Sequence, residues 1–468
     1  MRNTFHPMPD DIADSPKPAD NEVPPSQVLR HVWAIAWPVV VASLIDATEG
    51  LVDIYFVGFL GPAAISAIGM SRQIVFIVMV MAISITGGTR TLVAQYYGAG
   101  RHGDVSRTGQ QAILMGTYLA LGLAAVSIVL TRPTLVLLGA PEEVITHGTL
   151  FLRLYFAGMV FMILNYVMSA IFGGVGDTRT PLKISVIVII VKCVTSYAFI
   201  FGAWVVPALG VAGAAVGMII SRLAGCVIGL AILVRGHGQV RLSRNWRVKP
   251  DWSIMSRMLD IGLPSGASGF FRNGARVLLY RVISGVSRPT AAIAALTVGF
   301  QIRLFAIMPA LAFSVAATSL VGQRLGGRQV RSAGQYGGQT ILLCMIVIGA
   351  GSALIWVFAQ GIAAIFTTDE TVLGISSVML RFFAIAQVFS ALSIVASGVL
   401  AGGGETRPSL YYTLFSQWGI MLVFSYVLAF PLGLDVTGIW IAWLAAAVLQ
   451  GLLTLRRFFK GTWKRAVV

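Results

Sequence analysis

Long apolar segments alternate with short polar stretches along almost the whole chain. The hydropathy pattern predicts twelve such segments, each long enough to cross a bilayer as a helix. They cover residues 32–58, 63–97, 107–131, 142–172, 181–204, 210–235, 257–285, 290–323, 334–359, 370–400, 408–431 and 437–457. The pattern therefore predicts an all-α polytopic membrane protein with twelve transmembrane helices.

The second six segments repeat the first six at an offset of 228 residues. The glycine-rich turn at Gly176 has its copy at Gly404, and Gln95 has its copy at Gln323. Six helices per repeat is an even number, so both repeats enter the membrane from the same side. We therefore expect two six-helix lobes, related by a pseudo-two-fold axis along the membrane normal, with the working cavity at their interface.

The polar stretches divide the chain into five regions. The predicted regions are a disordered cytoplasmic N-terminal tail at 1–30, an N-lobe at 31–235, a cytoplasmic inter-lobe linker at 236–256, a C-lobe at 257–457 and a basic cytoplasmic tail at 458–468. The N-terminal tail is predicted to be disordered because it is polar and rich in proline. It shows no pattern of a cleavable signal.

Composition and charge narrow the class of protein. Only 11% of the residues are charged and 57% are apolar, which excludes an ordinary soluble globular protein. The formal net charge is +16, but the basic residues collect in alternate loops and in the C-terminal tail. By the positive-inside rule, this predicts a multi-pass protein of the inner membrane with both termini in the cytoplasm. Its expected partner is the lipid bilayer and not nucleic acid.

The first segment carries three acids, Asp46, Glu49 and Asp53, in an otherwise apolar stretch. Their spacing of three and four residues places them on one helix face. An ionised acid near the bilayer centre costs about 2.5–3.5 kcal/mol on insertion scales, so such groups normally face a cavity or a partner. Three like charges also repel, so at least one acid should hold a proton or a counter-ion. We interpret the face as a proton- or cation-binding site; structural ion pairs within the bundle are the alternative.

Basic residues also occur deep inside predicted helices. Lys192 lies near the middle of the fifth segment and is a candidate counter-ion for the acids of the first segment. Arg272 and Arg276 lie one turn apart in the seventh segment, and Arg303 lies in the eighth. These arginines are candidate residues of a C-lobe cavity, facing an acidic wall of the N-lobe. Alternatively, they bond helix carbonyls and polar neighbours such as Asn273.

These features together resemble the multidrug and toxic compound extrusion (MATE) transporters over about residues 30–457. The matching pieces, in chain order, are Pro38 followed by Leu51-Val52-Asp53, Gly98-Ala99 after Gln95, the two G-x-G-[DE]-T-R turns, Phe199-Ile200-Phe201-Gly202 and Gly262-Leu263-Pro264. The resemblance implies cation-coupled antiport by two lobes that alternate between inward-open and outward-open forms. It also implies that Asp53 is the coupling residue of the N-lobe. Pro38 removes a helix hydrogen bond and is the candidate bend of the first helix.

The chain departs from the family pattern where relatives bind the coupling ion. Lys192 and Ser196 stand where many relatives have Asn and Asp, which leaves Ser196 as the polar candidate of the fifth helix. Arg272 stands where the Na⁺-coupled branch has Glu, and Ser390 replaces a further acid. A cation beside the acids disfavours bound Na⁺, because hard cations prefer oxygen ligands. The expected coupling ion is therefore H⁺, with Na⁺-coupled efflux as an alternative.

Two other classes of membrane protein are weighed against this interpretation. A lipid-linked precursor flippase shares the two-lobe plan and often carries a cationic cavity. Asp177 lies in a G-x-G-D string that also occurs in intramembrane aspartyl proteases, but that chemistry needs a second, facing aspartate. Turn glycines and an acid that caps the next helix explain the string without catalysis. The histidines and cysteines show no metal-ligand spacing or nucleophile triad, so we expect no metal site, no cofactor and no enzyme activity.

The sequence as a whole predicts a secondary active antiporter for multidrug efflux. It would export small amphipathic organic compounds in exchange for protons, by alternating access of the two lobes. We expect it to act as a monomer.

Overall fold

The computed structural model describes residues 23–137, 141–203, 206–236, 240–243 and 249–464, and every regular element in these ranges is helical. The twelve long helices are α1 Pro25–Gly58, α2 Pro62–Gly98, α3 His102–Leu137, α4 Glu142–Gly174, α5 Arg179–Phe201, α6 Val211–Arg235, α7 Trp252–Ile283, α8 Pro289–Gly326, α9 Val330–Val357, α10 Glu370–Gly402, α11 Arg407–Ala429 and α12 Asp435–Lys460. Within the described ranges, ten of them are long and apolar enough to cross a membrane. The prediction of a twelve-helix membrane protein is confirmed.

The first helix begins earlier than the hydropathy pattern predicts. α1 starts at Pro25, so residues 25–30 are helical and the prediction of a disordered tail is wrong for them. Proline suits the first turn of a helix, where its missing N–H is not needed. Val28 is fully buried, so packing holds this first turn in place. The rest of the predicted tail, residues 1–22, lies outside the described residues.

The predicted linker is also shorter than expected. α7 begins at Trp252, because the Asp251 carboxylate accepts hydrogen bonds from the amides of Ser253 and Ile254 and caps the helix. Within the linker, residues 237–239 and 244–248 lie outside the described residues.

The last helix of the C-lobe ends later than predicted. α12 continues to Lys460 and ends where Gly461 adopts a left-handed φ of +70°. Trp463 then packs as a buried residue in the C-lobe core. The start of the predicted basic tail is thus ordered, whereas residues 465–468 lie outside the described residues.

Two local elements have no counterpart in the hydropathy pattern. A short helix, Ala359–Ala364, lies between α9 and α10. The middle of α11 is a π-helical turn, Phe415–Leu422, flanked by α-helix on both sides. A π-type hydrogen bond encloses one more residue than an α-helical one, so the π-helical turn changes the direction of the side chains that follow it.

The helices form two lobes, α1–α6 and α7–α12, and the first helix of each lobe crosses into the other lobe. The N-terminal half of α1, with Val28 and Val32, packs into a hydrophobic cluster made by α8, α9 and α10. The N-terminal half of α7, with Met255 and Met258, packs into the hydrophobic cluster of the N-lobe. The C-terminal halves of α1 and α7 pack in their own lobes. We call this arrangement the helix crossover.

The lobes also lock together where α2, α4, α8 and α10 end. Gln95 Nε2 donates to the Gly402 carbonyl at 2.8 Å, and its repeat equivalent Gln323 donates to the Gly174 carbonyl at 2.9 Å. Both the donors and the acceptors are 228 residues apart. These two bonds are the glutamine latch, and they show the pseudo-two-fold relation of the lobes in three dimensions.

Glycines let the backbones of α2 and α8 approach each other at the same place. A Cβ added to Gly98 would collide with the Gln323 backbone, and one added to Gly326 would collide with the Gln95 backbone. The two close approaches are again repeat equivalents. Small residues of this kind allow membrane helices to pack backbone to backbone.

Candidate transport site

An ion pair inside the N-lobe joins α1 to α5. Lys192 Nζ donates to Asp53 Oδ2 at 2.9 Å and to the Glu49 carbonyl oxygen at 3.3 Å. The Lys192 side chain is 3% exposed and that of Asp53 16%. The structure thus brings together two of the predicted site residues. Burial strengthens such a pair because little water screens it.

α6 supplies a second cation, which the sequence analysis did not single out. An Arg222 guanidinium nitrogen lies 2.6 Å from Glu49 Oε2 and 3.7 Å from Asp46 Oδ1. The guanidinium also lies over the Tyr166 ring, 5.8 Å from its centroid. Arg222 lies eleven residues from the start of α6 at Val211, or about 16 Å at the helical rise. That depth in an apolar segment was the available sequence signal.

The five charged residues of this N-lobe cluster do not balance when all are ionised. Three carboxylates face two cations, so the cluster carries one excess negative charge unless it holds one proton. Of the three acids, Asp46 has the longest ion-pair distance and the most exposed side chain, at 32%. Its Oδ1 atom, like Glu49 Oε1, is buried and has no hydrogen-bond partner among the described residues. Asp46 is therefore the least tightly paired of the three acids.

Asp46 also lines a cavity of the N-lobe. The other polar lining residues include Arg90 from α2, Asn165 and Tyr166 from α4, and Arg222. Val315 of α8 lines the same cavity, so it reaches the interface with the C-lobe. The cavity is lined by Val39, Ala42, Ser43, Asp46, Arg90, Asn165, Tyr166, Met168, Ser169, Phe172, Gly173, Thr178, Pro181, Ile184, Ser185, Val188, Arg222 and Val315. A proton on Asp46 would thus be accessible from the space between the lobes.

The three predicted arginines of the C-lobe line one cavity. Arg272 and Arg276 from α7 meet Arg303 from α8 there, together with polar residues of α10, α11 and α12. Arg276 lies over the Phe300 ring at 4.4 Å, and Arg303 lies over the Trp443 ring at 5.2 Å. The structure thus brings the three candidate arginines together in one cavity, and their role there stays a prediction.

The Asp177 of the glycine-rich turn has a structural task. Its carboxylate accepts hydrogen bonds from the backbone amide and hydroxyl of Thr180, which caps the start of α5. The repeat equivalent, Glu405, binds the side chains of Arg457 and Thr462. Asp177 thus caps the start of α5, whereas Glu405 joins the turn after α10 to the end of α12. In the described part of the chain, no group of three His, Cys, Asp or Glu residues is arranged to hold a metal ion.

Comparison with known proteins decides the family. The MatE family model matches residues 38–198 and 264–427, one match in each lobe and most of the chain in total. The chain belongs to the MatE family. It is thus a member of a family of membrane transporters, as its resemblance to MATE proteins predicts.

Relatives of this MatE protein match over nearly its full length. It is 28% identical over 453 residues to a probable multidrug resistance protein NorM of Thermotoga maritima, covering 96% of this chain and 95% of the relative. It is 25% identical over 405 residues to the multidrug resistance protein PmpM of Pseudomonas aeruginosa, covering 86% and 84%.

Solved structures show the same fold. A crystal structure of a MATE protein in the bent conformation has a TM-score of 0.84 at 22% identity, covering 94% of this chain and 99% of the other. An outward-facing conformation of a multidrug resistance MATE family transporter matches with the same values. The two-lobe architecture is therefore that of the MatE fold.

Two further predicted residues of this MatE protein, Ser196 and Pro38, lie in the helices that carry the N-lobe cluster. Ser196 is fully buried one turn after Lys192 and packs against Gly217 of α6, where an added Cβ would collide with it. Its hydroxyl has no hydrogen-bond partner among the described residues. Pro38 is buried within α1, between the half that packs in the C-lobe and the half that carries the acids. The structure thus places Ser196 at a helix contact and Pro38 at the helix crossover.

Proposed function

We propose that this protein is a proton-driven antiporter that exports amphipathic organic compounds. The charge count of the N-lobe cluster carries the proposal. Three acids within the membrane-spanning bundle and two buried cations become neutral on binding one proton, and a neutral cluster is far less costly to hold there than a charged one.

The same count argues for H⁺ over Na⁺. A bound Na⁺ needs several oxygen ligands, but Lys192 already occupies Asp53 and Arg222 already occupies Glu49. Asp46 alone is weakly paired, and one carboxylate can hold a proton but not a complete Na⁺ coordination shell. We propose Asp46 as the residue that binds and releases the proton. The charge change at Asp46 would act on Arg222 and Glu49, and through them on the neighbouring Lys192–Asp53 ion pair.

The orientation follows from the loop charges and the glutamine latch. Basic loops lie at the ends of α2, α4, α6, α8 and α10, which by the positive-inside rule is the cytoplasmic side of the inner membrane. The latch lies at that same side. The lobes are then closed toward the cytoplasm, as expected of the outward-facing state of an exporter.

The test is transport in proteoliposomes under separate ion gradients. Two amphipathic xanthene dyes, one anionic and one cationic, are supplied outside the vesicles. The vesicles have either an acidic lumen or a Na⁺ gradient at uniform pH. We expect the acidic lumen, but not the Na⁺ gradient, to drive dye accumulation. Asp46→Asn should abolish accumulation, since the neutral amide cannot release a proton.

Asp104→Asn is the matched control. Asp104 pairs with Arg101 at the surface, so the same substitution should leave transport unchanged. Dye accumulation driven by Na⁺ alone, or normal proton-driven transport by Asp46→Asn, would refute proton coupling through the cluster.

A further inference from the structure

The arginines of the C-lobe lie where an unpaired cation is costly. Arg272 is eleven residues from the end of α7, and Arg303 is fourteen residues from the start of α8, or about 16 and 21 Å into their helices. At such depths a charged side chain normally faces a partner or a water-filled cavity. Here three cations share one cavity.

No acid compensates these charges in the described part of the chain. Arg272, Arg276 and Arg303 take part in none of the ion pairs found there. Of the C-lobe acids, Asp369, Glu370, Glu405 and Asp435 lie at or next to helix ends. Asp260 lies within α7, twelve residues before Arg272, or about 18 Å along the helix. The contrast with the N-lobe is direct, because each buried cation of the N-lobe cluster has a carboxylate within 3 Å.

Helix carbonyls and neighbouring polar groups do not replace the missing acid. The Nε atoms of Arg272 and Arg276 are buried and have no hydrogen-bond partner among the described residues. Within the part of the chain that the structure describes, the one hydrogen bond of Arg303 is to Ser390 Oγ, at 3.5 Å. Asn273, the expected polar neighbour, donates instead to the Gly269 carbonyl. The three guanidinium groups therefore line the cavity without a hydrogen bond to a helix carbonyl in the described part of the chain.

The rest of the cavity suits an oxyanion attached to an apolar body. Ser390, Gln417 and Gln450 provide further polar atoms, while Met421 and Trp443 provide apolar and aromatic surface. Gln417 and Met421 lie on the π-helical turn of α11, a type of element that often occurs at functional sites. Phe300 and Trp443 hold the guanidinium planes of Arg276 and Arg303 by cation–π contact. Planar, fixed guanidinium groups match the geometry of carboxylate and phosphate.

We propose that this cavity binds the anionic group, a carboxylate, sulfonate or phosphate, of the exported amphiphile. The proposal rests on the proposed transport function and names the charge of its substrate. The bound anion would supply the negative charge that the C-lobe lacks. The two lobes would then have separate tasks, with the proton on the acidic side and the substrate anion on the basic side.

The test is equilibrium binding to the purified protein in chloride-free detergent solution. The probes are fluorescein, which carries a free carboxylate, and rhodamine 6G, a cationic xanthene ester of similar shape, each followed by fluorescence anisotropy. We expect fluorescein to bind the wild type more tightly than rhodamine 6G. Arg303→Gln should weaken fluorescein binding about 10- to 100-fold, as expected for loss of a charged hydrogen bond. Arg303→Lys should give an intermediate loss, because lysine keeps the charge but not the fork of donors.

Arg281→Gln is the matched control, since it removes the same charge from the exposed last turn of α7. It should leave the affinity for both dyes unchanged. The melting temperature separates binding from packing. Arg303→Gln should melt no lower than the wild type, because it removes an uncompensated charge. A lower melting temperature with unchanged fluorescein binding would assign the arginines a purely structural role and overturn the proposal.

Competition identifies the kind of anion. Displacement of fluorescein by equal concentrations of chloride or inorganic phosphate would overturn the proposal, since the site would then take small ions. Displacement by farnesyl phosphate at much lower concentration would support it and assign the anion to a lipid, whereas weaker displacement would support a soluble substrate. If fluorescein binds but no gradient moves either dye, the transport function fails and the anion site stands. If protons drive rhodamine 6G alone and fluorescein does not bind, the anion site fails and the antiport function stands.

Discussion

At the residue scale, each cation of the N-lobe cluster has its own partner on α1. Lys192 contacts Asp53, whereas Arg222 contacts Glu49 and, at longer distance, Asp46. The pairs are buried, so removing either member leaves a charge without compensation. Loss of one partner from a buried pair typically costs about 3–5 kcal/mol. The cluster is thus a structural element of the N-lobe as well as a candidate ion site.

Arg222→Leu should strongly lower the thermal stability of the protein in detergent. Glu49 is only 7% exposed and would lose its partner at 2.6 Å, for a cost of about 3–5 kcal/mol. Glu49→Gln combined with Arg222→Leu should lose less than the two single effects added together. The control is Arg132→Leu, whose pair with Glu142 is mostly exposed and should contribute little. Additive losses would show that Arg222 and Glu49 are not energetically coupled.

Lys192→Ala should shift the pH dependence of exchange to higher pH. Without Lys192, three acids face a single cation, so the cluster needs one more proton to become neutral. Asp53 would lose the neighbouring cation that favours its ionised form. Lys192→Ala with Asp53→Asn should lose less transport than the two single effects combined. The pH–rate profiles of these variants in liposomes provide the test, and an unshifted profile would refute the role of Lys192.

Sequence reasoning at this scale found the acids but only part of their environment. The i, i+3, i+7 spacing showed that the three acids share a face, and the depth of Lys192 pointed to a partner among them. Arg222 was not predicted, although it lies as deep in an apolar segment as Lys192 does. Which cation pairs with which acid depends on how α5 and α6 pack against α1, and spacing along the chain does not determine that.

At the element scale, α1 and α7 each pack against helices of both lobes. Pro38 and Pro264 lie where each helix passes from the core of the opposite lobe to that of its own. A proline inside a helix lacks one backbone hydrogen bond and makes local bending easier. Hydropathy predicted that both helices exist, but it cannot show which lobe a helix face contacts. The π-helical turn of α11 escaped prediction for a similar reason, because an extra residue in one turn does not change average hydropathy.

Pro38→Ala should slow transport while leaving substrate binding largely intact. The alanine N–H restores a backbone hydrogen bond and stiffens α1 where it passes between the lobes. Turnover should fall several-fold in the liposome assay, with little change in dye affinity. Pro133→Ala is the control, because this proline lies exposed near the end of α3 and outside the crossover. Weakened binding with normal turnover would contradict the role of Pro38 in the lobe motion.

At the scale of the whole molecule, the internal repeat is visible as paired contacts between the lobes. The glutamine latch and the glycine approaches of α2 and α8 each occur twice, once in each direction. The 228-residue offset predicted two similar lobes and placed the working cavity between them. It did not predict which residues join the lobes, because a repeat shows equivalence between positions and not contact. Tertiary packing alone reveals that Gln95 reaches Gly402.

Replacing both glutamines of the latch should shift the protein toward the form that is open at this end. Gln95→Leu with Gln323→Leu removes two buried inter-lobe hydrogen bonds and leaves the Gly402 and Gly174 carbonyls without these donors. Spin labels at Arg101 and Arg328, in exposed loops of the two lobes, report the separation by pulsed electron resonance. We expect the long-distance population to grow in the double variant.

Gln110→Leu is the matched control for the latch. Gln110 donates to the Ser243 carbonyl away from the lobe interface, so this variant should keep the wild-type distance distribution. An unchanged distribution in the latch variant would mean that the glycine contacts hold the lobes closed without the glutamines.

The helix crossover has a consequence for biosynthesis. The N-lobe leaves the ribosome first, and at that stage the Val28 and Val32 face of α1 has no partner, because α8–α10 are still to be made. In the same way, the site on the N-lobe that receives Met255 and Met258 stays vacant until α7 arrives. A split version, 1–243 and 249–468 made as separate polypeptides, should therefore be degraded when either piece is expressed alone. Expressed together, the two pieces should protect each other from proteolysis and assemble, so that each lobe completes the folding of the other.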